Sequence, residues 1–272
     1  MATKMREHRY FLIVLAAELK RLFAYRVQFW FELVVSSLVS LGVALIVWRA
    51  VFEAAGDRVI QGYTFEQMII YVVIATFIGQ AVRGSGTGTF ARDIYDGAYT
   101  RYLIYPLSVY SYKFATFFAR TAIAIGQLLL VFFVMYLFNL FPNDSSVTPF
   151  TVLLGLIVVV LASWVYFLML VTVESVAFWA DQAWSMSVMM NVCIVFFGGK
   201  LIPVDMFPDW LQTALNFSPF PLLIFAPIKI MQGDISSFLF VVSTLFGWSL
   251  LTLLVARFAV RRGTLRYSGV GI

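Results

Sequence analysis

FTVLLGLIVVVLASWVYFLMLVTVESVA, residues 150–177, runs for 28 positions with one charged side chain, Glu174, near its end. About 20 apolar residues carry a helix across a hydrocarbon core of about 30 Å. This stretch is longer than that and apolar on every face, so its solvent is lipid. The same reading extends outward in both directions. Residues 30–52, 66–82, 114–138, 184–199 and 238–260 are five more apolar runs, the second and the 184–199 run being short. Only 12% of the chain is charged and 62% is hydrophobic, at mean hydropathy +0.91, where a soluble domain carries about 25% charged residues. The expected class is an all-α integral membrane protein with six transmembrane helices.

Orientation follows from the cations. With the N-terminus inside, 15 of the 19 Lys and Arg residues fall on the inner side, leaving Arg49, Arg58, Lys200 and Lys229 outside. Basic residues concentrate on the cytoplasmic side of membrane proteins, so both termini are expected in the cytoplasm. The net charge of +5 belongs to this asymmetry, and nucleic acid is not an expected partner. A cleavable signal peptide is not expected, because Glu18, Lys20 and Arg21 follow the short apolar stretch 10–17.

Several chemistries are excluded by what the chain lacks. Cys193 is its only cysteine and His8 its only histidine, so no disulfide framework or thiolate cluster forms and no metal site is expected. No Ser nucleophile has an evident base, and no paired acidic motif appears; no catalytic residue is assigned. An ion-coupled transporter or a channel would carry buried carboxylates at mid-membrane depth or inverted repeats. Neither is visible, and this class stands as the alternative function.

Three connections carry information. Residues 1–28 read as an amphipathic interfacial helix, with Phe11, Leu15, Leu19, Leu22 and Phe23 at helical spacing beside basic residues; a tail leading into an early first span is the other reading. Residues 83–113 form the longest inner connection and open on Gly84-Ser85-Gly86-Thr87-Gly88. No strand precedes these glycines and no Lys-Ser/Thr follows, so they are not a phosphate loop. Gly198–Gly233, on the outer side, holds five of the eight prolines between apolar pieces too short to span. Proline breaks helices, which predicts two short helices dipping into the outer leaflet. Irregular backbone at that depth survives only when buried in protein or lining water, making about 200–232 a candidate gate, with Pro203, Phe207, Pro208 and Trp210 its candidate residues.

The ordered set of elements resembles a known family. Asp96-Gly97-Ala98-Tyr99 leads to Pro106-Leu107-Ser108, and Ile202-Pro203, Phe207-Pro208 and Trp210 lead to Pro219-Phe220 before the last span. This is similar to permease subunits of the type-2 family of ATP-binding-cassette (ABC) transporters, over essentially the whole chain. The resemblance implies a non-catalytic six-span subunit, residues 29–272, paired with an identical or homologous permease in a bacterial inner membrane. Separate ABC ATPase subunits would bind ATP and Mg, and most such proteins are exporters. Residues 90–104 would be the cytoplasmic coupling helix, with Arg92, Asp93, Ile94, Tyr95, Asp96, Gly97, Tyr99 and Arg101 docking in the ATPase groove. The mixture of charged and apolar residues there suits a protein groove, or solvated contact with lipid headgroups.

Ionisable groups within spans need a reason, at about 2.5–3.5 kcal/mol each on insertion scales. Arg120 and Glu174 are expected at similar depth and could pair or line an inner vestibule; alternatively Arg120 snorkels and Glu174 reaches water. Gln80, Gln127, Asn139 and Asn191 face substrate or form interhelical hydrogen bonds.

Overall fold

The computed structural model describes residues 2–24, 26–56, 59–84, 89–141 and 146–267, with side chains omitted at 2–6, 26–30, 32, 33 and 36. Arg58 and the Ser85-Gly86-Thr87-Gly88 reading lie outside the described residues. The chain is mostly helical: α1 Ala2–Ala24, α2 Arg26–Ala55, a hairpin of β1 Val59–Ile60 and β2 Tyr63–Thr64, α3 Phe65–Arg83, α4 Thr89–Tyr95, α5 Thr100–Ile104 and α6 Val109–Leu137. Then follow α7 Pro149–Glu174 with a 3-10 turn Ser175–Phe178, α8 Ala183–Phe197, α9 Asp209–Leu215, α10 Phe220–Leu223, α11 Phe225–Met231 and α12 Phe238–Thr264.

Local chemistry sets several starts. Thr64 caps α3 in a reciprocal box with Gln67, and Thr148 caps α7 with Thr151 while Pro149 occupies the first turn. Capping oxygens satisfy amides that have no partner inside the helix, and Pro at the first position gives up a donor that would be orphaned anyway. Among the described residues, five helices are long and apolar enough to span: Ser37–Ala55, Phe65–Arg83, Val109–Leu137, Pro149–Phe178 and Phe238–Thr264. The run expected at 184–199 forms the 15-residue α8. At 1.5 Å per residue it covers roughly 22 Å, short of the hydrocarbon thickness.

α7 is the central helix, packed by α3, α8, α11 and α12. Within their most apolar windows α3 and α7 are each 56% buried, α12 only 17% and α2 only 6%; α2 and α12 are therefore peripheral. Polar bridges join neighbours: Gln80 Nε2 donates to Ser37 Oγ at 2.8 Å, Trp164 Nε1 to Ser249 Oγ at 2.7 Å, and Tyr166 OH to Asn191 Oδ1 at 3.0 Å. Of the four span amides, Gln80 and Asn191 thus tie helices together. α1 lies against α6, stacking Phe11 on Phe114 (6.1 Å) and burying Leu22, while Leu12, Ile13 and Phe23 stay exposed.

Gly198–Gly233 folds as a 3-10 turn, Val204–Met206, and three short helices where two were expected. Pro219 and Pro221 flank the start of α10, and Pro227 falls in the first turn of α11, where its missing amide costs no intrahelical bond. α10 and α11 are driven into the core: Leu223, Ile228, Ile230 and Met231 are fully buried. α9 stays out, with Trp210 and Phe217 exposed.

Candidate functional site

The α4–α5 pair, 89–104, is built on one turn. Tyr95 ends α4, Gly97 takes φ +71° and Tyr99 leads into α5. A left-handed φ is open to glycine without a Cβ clash, which lets α5 fold back on α4. The backbone N–H of Tyr99 donates to the Asp93 carbonyl at 2.7 Å and locks the reversal.

The buried side of this pair is wired to three other helices. Glu174, fully buried at the end of α7, accepts from the amides of Phe90 (2.7 Å) and Ala91 (3.3 Å) in the first turn of α4. Those amides have no partner within the helix and carry the positive end of its dipole. A buried carboxylate is tolerable when it is hydrogen-bonded. The ion pairs between described residues do not include one of Glu174 with Arg120, which is half-buried on α6; the anchor the structure gives Glu174 is α4. Tyr95 OH donates to Ala180 O and accepts from Ala183 N, both at 2.8 Å, holding the corner between α7 and α8. Tyr99, 1% exposed, bonds Thr264 Oγ1 of α12 at 2.7 Å and sits among the rings of Phe90, Phe178 and Tyr267.

Asp93 organises the remaining polar groups. One oxygen accepts from Arg101 Nη2 (2.9 Å), the other from Tyr102 OH (2.5 Å) and from Lys113 Nζ. Burial, helped by the Asp93 carboxylate, holds the Tyr102 phenol well above its ordinary value, so it remains a donor. Of the residues expected to dock, Asp93, Ile94, Tyr95 and Tyr99 thus point into the protein. Arg92, Asp96 and Arg101 are exposed, Gly97 is half-buried, and they are joined by Leu103, Ile104 (80% exposed) and Tyr105. Ile104 belongs to residues 90–104 but not to the docking set read from the sequence, because nothing in so short a segment marks which apolar side chain faces outward.

At the opposite end of the bundle, Tyr63 OH donates to Asp205 Oδ2 (2.8 Å) and accepts from Lys229 Nζ (2.9 Å), while Lys229 pairs with Asp205 at 2.8 Å. This triangle ties the 3-10 turn and α11 to the β hairpin. Tyr71 OH adds a bond to Gly199 O at 2.5 Å. Of the gate candidates, Pro203 and Phe207 are buried, Phe207 in a small cluster with Val204 and Leu215; Pro208 and Trp210 are exposed.

One more cluster lies between the two ends. The Lys200 side chain runs along α3, its Cδ 3.5 Å from where a Gly79 Cβ would stand. Arg83 reaches the same turn, donating from Nε to Gly79 O at 3.2 Å. The buried Gln80 Oε1 and Thr121 Oγ1 have no hydrogen-bond partner among the described residues. The positive-inside reading puts Arg83 and Lys200 on opposite membrane faces, so nothing in the sequence joins them.

Against known proteins, residues 38–271 match the family model described as ABC-2 family transporter protein. No curated protein and no solved structure matches the chain.

Proposed function

We propose that this chain, which belongs to the ABC-2 family of transporter proteins, is the membrane-spanning permease subunit of an ATP-driven exporter. It works beside a second permease subunit, identical or homologous, and separate ABC ATPase subunits hold the ATP and Mg. It resides in a bacterial cytoplasmic membrane with both termini in the cytoplasm, the side to which 15 of its 19 cations belong. α1 rests at the inner surface, α4–α5 is the coupling element, and Gly198–Gly233 caps the path from the outer leaflet. The weakly buried α2 offers its apolar surface to lipid or to the second permease.

The observation that carries this reading is the two-sided character of α4–α5. Glu174, Tyr95 and Tyr99 join it to α7, α8 and α12, while Arg92, Asp96, Arg101, Leu103 and Ile104 face outward. A load applied to the outer face by a soluble partner passes to three helices through well-anchored groups. That is what a coupling element has to do.

The test is co-purification. The tagged chain, extracted in mild detergent from its native host, brings down a Walker-motif ATPase in stoichiometric amount. The double variant Arg92→Glu, Ile104→Glu loses that ATPase with an unchanged melting temperature, because exposed substitutions shift stability by no more than about 0.5 kcal/mol. Recovery of the intact chain alone, with transport in liposomes that contain no ATPase, overturns the proposal in favour of an ATP-independent channel or secondary transporter.

A further inference from the structure

Arg83 and Lys200 are an unneutralised pair inside the helical domain. Among the described residues the Lys200 ammonium forms no hydrogen bond or ion pair, and the Arg83 side chain bonds only the Gly79 carbonyl, through Nε. The acids at the two ends of the bundle have partners of their own: Glu174 the α4 amides, Asp93 three donors, Asp205 Tyr63 and Lys229. Both side chains are half-buried. Gly84, next to Arg83, abuts Phe117 and Thr121, so that a Cβ there would lie 2.8 Å from the Phe117 ring. Phe117 is eight residues, roughly 12 Å, beyond the start of α6.

Two like charges in such a place are unfavourable twice over, through lost hydration and mutual repulsion. An anion between them reverses both effects. A guanidinium presents two parallel donors that match an oxyanion, and an ammonium supplies a point charge. The buried Thr121 hydroxyl, unpartnered near Gly84, is a further donor. Apolar side chains surround these groups: Ile224 lies 3.8 Å from the Gly79 Cβ position, and Phe117 lines the other side. Charged head and apolar walls together fit an amphipathic ligand.

We propose that Arg83 and Lys200 bind the oxyanion of an amphipathic molecule, a phosphate or carboxylate head whose tail lies among the surrounding apolar side chains. As the substrate class of the transporter this rests on the permease reading; as a binding site it stands on the two cations alone. Gly79 is the positioning residue, since the Lys200 stem occupies the space beside it.

The experiment uses the full chain in a neutral detergent, without ATPase. Phosphatidic acid, phosphatidylcholine and inorganic phosphate are each added, and binding is read by native mass spectrometry and by melting temperature. Phosphatidic acid binds and raises the melting temperature, and phosphatidylcholine does neither. Lys200→Met and Arg83→Gln each weaken phosphatidic acid binding by about tenfold or more, whereas Lys200→Arg retains it. Without ligand, Lys200→Met melts no lower than the wild type, because it removes one of two repelling charges. If inorganic phosphate alone binds as tightly as the lipid, the oxyanion site stands and its source is a free anion. Equal binding of phosphatidic acid and phosphatidylcholine by the wild type overturns the proposal, and needs no variant to fold. Equal phosphatidic acid binding by wild type and Lys200→Met overturns it too. Failure of the wild-type chain to bring down an ATPase, with lipid binding intact, overturns the permease reading only.

Discussion

Glu174 shows what a single residue contributes. As the one charged side chain of residues 150–177 it stands out in any reading of the sequence, because a carboxylate in an apolar span needs a partner. The partner is a pair of backbone amides on α4, and amides leave no mark in a sequence. Glu174→Gln keeps an acceptor oxygen but loses the charge facing the positive end of α4. The expected cost is about 1–3 kcal/mol, seen as a lower melting temperature and as faster proteolysis within residues 89–104. An unchanged melting temperature would show that the charge at Glu174 does not stabilise α4. Tyr99 carries a related lesson: the sequence offers it as a docking residue, and the structure buries it among four rings. Substituting it would damage the fold before it could report on a partner.

At the scale of elements, α3 and α7 owe their starts to local signals, Thr64 with Gln67 and Thr148 with Thr151, and these are legible by eye. Gly198–Gly233 is different. Its prolines announce broken helices, but whether a short apolar piece is buried depends on what covers it; α11 meets α7 and α3, while α9 meets little. The Asp205–Tyr63–Lys229 triangle is the fastening of this element. Its ion pair is about one-third exposed, so the direct stabilisation is small, no more than about 1 kcal/mol. Lys229→Met is therefore expected to leave global melting nearly unchanged while raising hydrogen exchange within residues 198–233. Equal exchange in wild type and variant would mean that packing alone holds the segment.

For the whole molecule, the proposed orientation makes opposite ends of the bundle answer to opposite compartments. In a Cys193→Ala background, Trp210→Cys is expected to react with a membrane-impermeant maleimide in intact cells, and Thr100→Cys only after permeabilisation. Both side chains are exposed, so burial cannot hide either from the reagent; labelling of both in intact cells would sink the topology. The membrane class and the position of the apolar runs were determined by the sequence alone, because hydrophobic length and charge balance are properties each segment carries by itself. The shortness of α8 was half-visible in the same way, through Gly198-Gly199. Only the tertiary structure decided that Glu174 anchors α4, that Ile94 and Tyr99 turn inward while Ile104 turns outward, and that Arg83 and Lys200 converge on Gly79. Each of those facts depends on which face of one helix meets another. The pattern along a chain that is apolar on nearly every face cannot select that face, because lipid and a neighbouring helix accept the same side chains.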